Sequence, residues 1–301
     1  MRLITRSDFD GLACGAILEY LGLIDEWLFA HPKDIQDGLI KATKNDIVAN
    51  VPYLEGCGLW FDHHSSEEER LGKDFKFDGV SKKAPSCARV IYEYYGGDEK
   101  LGKLAEMVKY VDKADSADLT AEEIVHPTGW VLLGFIADPR TGLGRIRNFT
   151  ISNFDLMKKL AKDTLTKPID EILAMSDIKE RIDVYFEQQN KFIEMVKKHS
   201  KTEGNAVFVD MRDVETIYAG NRFLLYTVFP EQNISVWVVD GKKKVNTVIT
   251  VGYSVINKTS KVDVGSLMLK YGGGGHTAVG TCQVAFDDTD RIISEILAAV
   301  R

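Results

Sequence analysis

The first hundred residues alternate short apolar runs with helical or turn segments, and this alternation limits the possible folds most strongly. Strands are predicted at residues 2–5, 27–30, 47–49 and 58–61, and residues 11–21 carry the apolar spacing of a helix. Short strands that alternate with helices are typical of βαβ units, which build parallel sheets. The sequence therefore predicts an α/β fold that begins with a doubly wound, mostly parallel sheet.

The rest of the chain separates into a helical stretch and a second α/β segment. Helices are predicted at residues 87–95, 100–111, 122–136, 154–165 and 178–198. Strands are predicted at 206–211, 234–240 and 245–255, with helices at 221–229, 264–271 and 291–300. A chain of 301 residues is long enough for two domains. We place the first at residues 1–190, a linker at 191–203 and a smaller α/β domain at 204–301.

Charge and cysteine content exclude several classes of protein. The chain carries 38 Lys and Arg against 45 Asp and Glu, a net charge of −7, whereas a general duplex-DNA binder needs a basic face. Its four cysteines form no CxxC pair, as is usual in a reducing compartment. Uncharged apolar stretches such as Trp130–Ala137 are far too short to span a bilayer, and no secretory signal is evident. We therefore expect a cytoplasmic protein without a membrane segment.

Two aspartates, Asp8 and Asp10, lie in the turn between the first predicted strand and the first predicted helix. Open α/β sheets bind their ligands at the carboxyl ends of the strands, so this turn occupies a position where ligands bind. Carboxylates spaced i, i+2 can converge on Mg²⁺ or Mn²⁺. The alternative is that both residues cap the helix and complement its dipole.

A second polar group, Asp62-His63-His64, follows the apolar strand that ends at Phe61. A carboxylate and two imidazoles at the end of a buried strand need partners, because burying polar groups without them is costly. An imidazole nitrogen is a good transition-metal ligand, and the neighbouring acid can fix its tautomer or bind the metal itself. The alternative is a surface turn that contains two histidines.

Three aspartates, Asp112, Asp115 and Asp118, lie in one helical region. The i, i+3 spacing of the first two places them on one helix face. Taken alone, the run is typical of a solvated acidic face. The two earlier groups have too few ligands to hold a metal by themselves, and this favours a metal-binding role for the run.

A run of four glycines ends in His276 and follows a short predicted helix. One glycine suffices to cap a helix, so four suggest an exposed backbone nest that binds an anion, with His276 as an added donor. The alternative is a flexible loop. Arg140 and Arg145 lie in a glycine-containing loop and could also contact phosphate, although a turn with solvated arginines fits the sequence equally well.

The motifs Asp8-Phe-Asp10-Gly, Asp62-His-His64 and Gly272–His276, in this order and spacing, resemble those of the DHH phosphoesterase superfamily. The segment 84–93, Ala-Pro-Ser-Cys-Ala-Arg-Val-Ile-Tyr-Glu, also looks like the helix that follows the DHH motif. The resemblance covers nearly the whole chain, as a DHH domain followed by a DHH-associated domain. It is closest to the subgroup described as exopolyphosphatase-related, and to nanoRNases that also dephosphorylate pAp.

The resemblance implies a Mn²⁺ centre, often dinuclear, that activates water for attack on phosphorus, with Mg²⁺ or Co²⁺ as alternatives. On this pattern Asp10 and His63 share one metal with a helical aspartate. Asp115 is the preferred third ligand and Asp112 the alternative. The implied metal ligands are thus Asp8, Asp10, Asp62, His63, Asp112 and Asp115.

The resemblance also implies roles toward the substrate. Asp62 and His64 are expected to be catalytic, with His64 in contact with the phosphate. His276 and the preceding glycines are expected to bind the other end of the substrate. These substrate-binding positions are His64, Gly273, Gly274, Gly275 and His276.

Two positions depart from the family pattern. The family usually has a histidine where this sequence has Thr5, and a metal-bridging aspartate where it has Asn50. Both departures affect the same metal position, so the second metal is expected to be weak, absent or held by a substitute such as His31. A capping or surface role suits His31 better. The arginine that the family often carries in the second domain is also not evident, and Lys258 is a candidate substitute.

These features together predict a metal-dependent phosphohydrolase or phosphodiesterase with its substrate in the cleft between the domains. The expected partner is a small phosphorylated substrate or short single-stranded oligonucleotide, such as an oligoribonucleotide, a pAp-like nucleotide or polyphosphate. A homodimer is compatible with the sequence. The alternative is a degenerate DHH protein that binds a nucleotide or phosphate ligand without turnover, which Thr5 and Asn50 favour.

Overall fold

The computed structural model describes residues 1–64, 67, 70–72, 74–241 and 245–301. The chain divides into two compact units. The first contains Met1–Asp118 and Pro127–Val184, and the second contains Leu119–His126 and Tyr185–Arg301. The predicted domain limits at residues 190 and 204 stay a prediction.

The first unit is built on a five-stranded parallel sheet. Its strands are β1 (Arg2–Thr5), β2 (Glu26–Phe29), β3 (Asp46–Ala49), β4 (Leu59–Asp62) and β5 (Gly79–Ser81), in the order β2-β1-β3-β4-β5. Every neighbouring pair is parallel. The strand order reverses between β1 and β3, which is the switch point where sheets of this kind bind ligands. The carboxyl ends of β1, β3 and β4 therefore lie side by side at this point.

Helices follow β1, β2 and β5 and continue through the middle of the chain. They are α1 (Phe9–Tyr20), α2 (Pro32–Gln36), α3 (Cys87–Tyr94), α4 (Gly97–Leu101), α5 (Ala105–Asp115), α6 (Ala121–Val125), α7 (Gly129–Ala137), α8 (Asn153–Thr166), α9 (Ile169–Ala174) and α10 (Ser176–Lys198). Helix α6 belongs to the second unit, and α10 contributes residues to both units.

Helix α1 lies in the core of the first unit, where every residue from Phe9 to Leu18 is buried. It contacts β1, α3, α5 and α8. A Cβ added at Gly15 would lie 1.7 Å from the ring of Trp27, so the absence of a side chain there lets β2 and α1 approach closely. The polar residues that begin α1 are thereby held rigidly at the end of β1.

The second unit contains a six-stranded mixed sheet in the order β10-β11-β9-β8-β7-β6. The strands are β6 (Ser200–Glu203), β7 (Ala206–Asp210), β8 (Ile234–Asp240), β9 (Asn246–Tyr253), β10 (Gly274–His276) and β11 (Val279–Ala285). Only β7 and β8 pair in parallel among these described strands. The helices are α11 (Leu224–Val228), α12 (Val264–Leu269) and α13 (Thr289–Val300), and α12 and α13 share a hydrophobic core with one sheet face.

The predicted fold class is confirmed: a parallel α/β unit is followed by a smaller α/β unit. The predicted helix at 122–136 is wrong, because the chain breaks between α6 and α7 at Pro127 and Thr128. Four strands were not predicted from the sequence: β5, β6, β10 and β11. Strand β11 has the alternating burial of a half-exposed strand, but its Gly280 and Gln283 weaken the β-branched signal.

None of the helices in the described part of the chain combines the length and apolar character needed to cross a bilayer. The longest of them, α10, is rich in Lys, Glu, Asp and Gln.

Candidate metal centre

Polar side chains gather where β1, β3 and β4 end, as the order of the parallel strands requires. All six of them are buried. The group consists of Thr5, Asp8, Asp10, Asn50, Asp62 and His63. Buried polar and charged groups of this density are stable only when they bind one another or a ligand. This edge of the sheet is therefore a candidate functional site.

Three side chains converge there as a candidate metal-binding group: Asp10, His63 and Asp115. One ligand atom from each lies within 4.8 Å of the others. The Nε2 atom of His63 is 3.7 Å from Oδ2 of Asp10 and 3.3 Å from Oδ2 of Asp115. Two carboxylates and an imidazole suit Mn²⁺ or Mg²⁺, so the donor set fits a divalent cation.

The ring of His63 is oriented for this role by the backbone. Its Nδ1 lies 3.2 Å from the carbonyl oxygen of Ala84, which can only accept a hydrogen bond. Nδ1 therefore donates, and the resulting tautomer leaves a lone pair on Nε2, the atom that faces the two carboxylates. A backbone carbonyl behind a ligating imidazole is the usual arrangement at metal sites.

Asp10 is fixed by the N-terminus of α3. The backbone N–H groups of Cys87 and Ala88 donate to its two carboxylate oxygens at 2.9 and 2.7 Å. Burial, with a further contribution from the negative charge of Asp115, raises the pKa of Asp10 to about 7, although the charge of His63 and the Ala88 N–H oppose this. A cation beside Asp10 and Asp115 would relieve the repulsion between them, which again fits a metal centre.

Asp112 has a different role from Asp115, although the sequence places both on one helix face. Ser86 Oγ donates to Oδ1 of Asp112 at 2.7 Å, and Arg89 donates to Oδ2 through Nε and Nη2 at 2.9 and 2.6 Å. Ser86 is also the N-cap of α3. Asp112 thus supports the helix end that holds Asp10, and the structure does not bring it into the group of three.

Asp62 and His64 form a second pair beside this group. Oδ1 of Asp62 lies 2.7 Å from Nδ1 of His64, while its Oδ2 is buried without a hydrogen-bond partner. Burial alone lowers the pKa of His64, but the carboxylate of Asp62, with a smaller contribution from Asp115, raises it to about 9. His64 is partly exposed and cationic at neutral pH, so it can bind a phosphate or donate a proton.

Asp8 caps α1, as the alternative interpretation of this residue expects. Its Oδ1 accepts from the Gly11 N–H at 2.9 Å and from Nδ2 of Asn50 at 3.0 Å. Its Oδ2 lies 3.1 Å from Nε of Arg6. Asn50 adopts a left-handed backbone conformation with φ of 57°, which asparagine tolerates better than most residues. Donors therefore surround the carboxylate of Asp8.

His31 caps the short helix α2, because its Nδ1 accepts from the Lys33 N–H at 3.2 Å. This is the capping role that the sequence favours for it.

Arg140 pairs with Asp138 through Nε at 2.8 Å. Burial lowers its pKa, but Asp138 and the nearby charges of Asp8 and Asp115 raise it well above the usual value.

The glycines of the second unit serve the local backbone. Gly272 has φ of 73°, and the Gly273 N–H donates to the Met268 carbonyl at 3.0 Å, which completes a C-terminal cap of α12. A Cβ at Gly273 or Gly275 would lie 2.2 Å from a carbonyl oxygen of β11. Gly274 differs from them, because nothing lies within 4 Å of a Cβ built there.

His276 ends β10, opposite Val279 of β11. Lys258 lies in the connection between β9 and α12. Capping and close packing explain Gly272, Gly273 and Gly275. A role in anion binding stays a prediction for Gly273, Gly274, Gly275 and His276.

Sequence reasoning missed Arg6. The residue directly follows β1 and precedes the Asp8–Asp10 motif, and its guanidinium contacts Asp8. The signal was its position, because a basic residue at the carboxyl end of a central strand lies where anionic ligands bind.

No protein-family model matches the chain, and no curated protein sequence matches it. Among solved structures, it is similar to the pGpG-specific phosphodiesterase PggH from Vibrio cholerae, with 44% sequence identity and a TM-score of 0.79. That alignment covers 99% of this chain and 98% of the other. The chain is also similar in fold to RecJ in complex with Mn²⁺ from Thermus thermophilus, at 15% identity and a TM-score of 0.55, over 99% of this chain and 51% of RecJ.

Proposed function

Because the chain belongs to the DHH phosphoesterase superfamily, we propose that it is a metal-dependent phosphodiesterase that hydrolyses a small phosphorylated substrate. Identity of 44% over nearly the whole length of a pGpG-specific phosphodiesterase supports a linear dinucleotide with a 5′-phosphate as that substrate. The observation that carries the proposal is the convergence of Asp10, His63 and Asp115 at the carboxyl edge of the sheet. The pair of Asp62 and His64 beside it supplies an acid.

We propose Mn²⁺ as the metal, with Mg²⁺ or Co²⁺ as alternatives, and Asp10, His63 and Asp115 as its ligands. When bound, a divalent cation supplies Lewis acidity toward a phosphate oxygen. His64, kept protonated by Asp62, binds a non-bridging phosphate oxygen or gives its proton to the leaving oxygen. Asp10 is held in place by the amides of α3, so little reorganisation is needed when substrate arrives.

The roles of Asp62 as a metal ligand and of Gly273, Gly274, Gly275 and His276 in substrate binding are proposals of the same kind. They rest on the family motifs and on the unpartnered Oδ2 of Asp62. The descent from exopolyphosphatase-related proteins, a cytoplasmic location and a homodimer are also proposals.

A second candidate function is binding of a nucleotide or phosphate without turnover. The neutral side chains of Thr5 and Asn50 favour it, because they lie at the ends of β1 and β3 beside Asp8 and give no negative charge to a second cation. The intact group of Asp10, His63 and Asp115 favours the enzyme.

Hydrolysis assays distinguish these two functions. Purified protein is stripped of metal, supplied with Mn²⁺, Mg²⁺, Co²⁺ or no metal, and incubated with pGpG, GpG without the 5′-phosphate, a longer oligoribonucleotide, pAp and polyphosphate. We expect metal-dependent release of mononucleotide from pGpG and slower turnover of the others. Tight pGpG binding without turnover under any of these conditions would support the binding protein and refute the enzyme.

A further inference from the structure

The carboxylate of Asp8 is already engaged by donors from three directions. Its Oδ1 accepts two hydrogen bonds, from the Gly11 backbone and the Asn50 side chain, and its Oδ2 contacts the guanidinium of Arg6. The side chain is 8% exposed, so little of this carboxylate is open to solvent. A cation binding to Asp8 would have to displace at least one of these contacts, which makes Asp8 a poor metal ligand.

The neighbours of Asp8 do not supply the negative charge that a second cation would need. Thr5 is completely buried, and its hydroxyl has no hydrogen-bond partner. Asn50 directs its Nδ2 donor, not its oxygen, at Asp8. Among the residues that the structure describes, Asp10, His63 and Asp115 form the only group of three acidic, histidine or cysteine side chains able to share a cation. The donor set therefore fits one divalent cation and does not fit a second.

Arg6 places a positive charge beside Asp8. Its side chain is 29% exposed, and Asp8 is its one ion-pair partner in the described part of the chain. Arg6 directly follows β1, at the carboxyl edge of the sheet where Asp10 and His63 also lie. Its Nε lies 3.1 Å from Oδ2 of Asp8, and the terminal nitrogens of a guanidinium are the atoms that bind phosphate as a fork.

We propose that Arg6, held on Asp8, binds the scissile phosphate and supplies positive charge in place of a second cation, in a centre that works with a single divalent cation. This inference rests on the proposed function. Arginine suits the task because its guanidinium stays charged at all working pH values and matches the geometry of two phosphate oxygens. Asp8 then acts as a positioning residue that anchors Nε and leaves the outer edge of the guanidinium available to substrate.

The chain provides a closely matched control in Arg2. Arg2 and Arg6 lie at opposite ends of β1, each is paired with a buried aspartate, and their exposed fractions are 32% and 29%. Arg2→Gln and Arg6→Gln therefore remove the same group at two sites of similar exposure, and Arg6→Lys retains the charge but not the fork. Thermal unfolding of all three variants shows whether each one is folded.

Two readouts test the inference independently of each other. Elemental analysis and EPR of protein reconstituted with Mn²⁺ should give about one ion per chain, with the spectrum of an isolated ion, in the wild type and in Arg6→Gln. Two exchange-coupled ions per wild-type chain would overturn the single-cation inference. Steady-state kinetics on pGpG should show a loss in kcat/KM of about 100-fold for Arg6→Gln, less for Arg6→Lys and little change for Arg2→Gln.

A binding measurement separates failure of this inference from failure of the proposed function. Titration of pGpG into metal-free protein should show weaker binding to Arg6→Gln than to Arg2→Gln, whether or not the wild type hydrolyses the ligand. Equal affinity and equal kinetics for the two variants would refute the role of Arg6. A wild type that binds pGpG through Arg6 but never hydrolyses it would refute the enzyme and leave Arg6 as a phosphate ligand.

Discussion

The two ends of β1 carry the same kind of ion pair in different surroundings. At the amino end Arg2 contacts Asp46 through two nitrogens, at 2.7 and 3.0 Å, and Thr43 adds two further hydrogen bonds to Asp46. At the carboxyl end Nε of Arg6 lies 3.1 Å from Oδ2 of Asp8. The arginines are similarly exposed and both aspartates are buried, so burial does not distinguish the two pairs.

The two ends differ in how completely the fold satisfies its own polar groups. Burial alone would raise the pKa of Asp46, but the hydrogen bonds from Arg2 and Thr43 lower it below its usual value. At the carboxyl end Thr5 Oγ1 and Asp62 Oδ2 are buried without partners, and the pKa of Asp10 is raised. The amino end stabilises the fold, whereas the carboxyl end keeps unsatisfied groups that a ligand can satisfy.

The largest effect is expected from His63→Ala. Removing the imidazole from the group with Asp10 and Asp115 should abolish retention of the metal and lower kcat/KM by more than about 100-fold, since loss of groups that merely orient a ligand costs 10–100-fold. Elemental analysis and kinetics check this. His31→Ala is the matched control, because His31 is an exposed helix cap in the same unit and should leave both quantities unchanged. Full metal content in His63→Ala would refute the ligand assignment.

Asp62→Asn should have the next largest effect, a loss of roughly 10–100-fold in kcat/KM, because it removes the carboxylate that orients and charges His64. The metal content of this variant decides between two roles for Asp62. Retained metal would show that Asp62 acts through His64, and lost metal would show that its buried Oδ2 is a ligand. Unchanged kinetics would contradict both roles.

Asp46→Asn tests the opposite end of the sheet. It should lower the free energy of unfolding by about 1.5–3 kcal/mol at neutral pH, because it breaks charged hydrogen bonds to Arg2 and Thr43, while kcat/KM stays near that of the wild type. Urea unfolding and kinetics measure the two quantities. A large loss of activity with unchanged stability would contradict the stabilising role assigned to the amino end of β1.

The ion pair between Arg2 and Asp46 predicts that the free energy of unfolding depends on pH. Since the pKa of Asp46 is lower in the folded chain than in the unfolded chain, its contribution is complete above the unfolded-state pKa and is lost as the pH falls through the folded-state value. The difference in unfolding free energy between the wild type and Asp46→Asn should therefore stay constant from pH 7 down to the unfolded-state pKa and shrink below it. A difference that grows on acidification would contradict this assignment.

The smallest effects concern the glycines of the second unit. Gly275→Ala should destabilise this unit by about 1–3 kcal/mol, because the added Cβ would meet the Val279 carbonyl. Gly274→Ala meets nothing within 4 Å and should leave stability nearly unchanged. Unfolding curves compare the two variants. A raised KM in Gly274→Ala without loss of stability would support a substrate-binding role for this glycine.

The local pattern of the sequence was sufficient to predict the parallel sheet and the turns that carry the Asp8–Asp10 and Asp62–His64 motifs. Strand β1 ends at Thr5 as predicted, and β3 and β4 end within one residue of their predicted ends, because buried parallel strands are continuous apolar runs. Strands β10 and β11 escaped prediction because a glycine-rich strand has little apolar periodicity and depends on pairing with a distant segment. The apolar spacing of residues 122–136 is helical on both sides of Pro127, but the proline cannot continue the helix and separates α6 from α7.

The residue types at the ends of β1, β3 and β4 follow from the sequence, which therefore predicts carboxylates and imidazoles at this edge of the sheet. The role of each side chain depends on its tertiary contacts. Asp112 and Asp115 are three residues apart on one helix, yet one supports the end of α3 and the other joins the metal group. Such roles depend on distances of a few ångströms between segments far apart in sequence, and helical spacing carries no information about those distances.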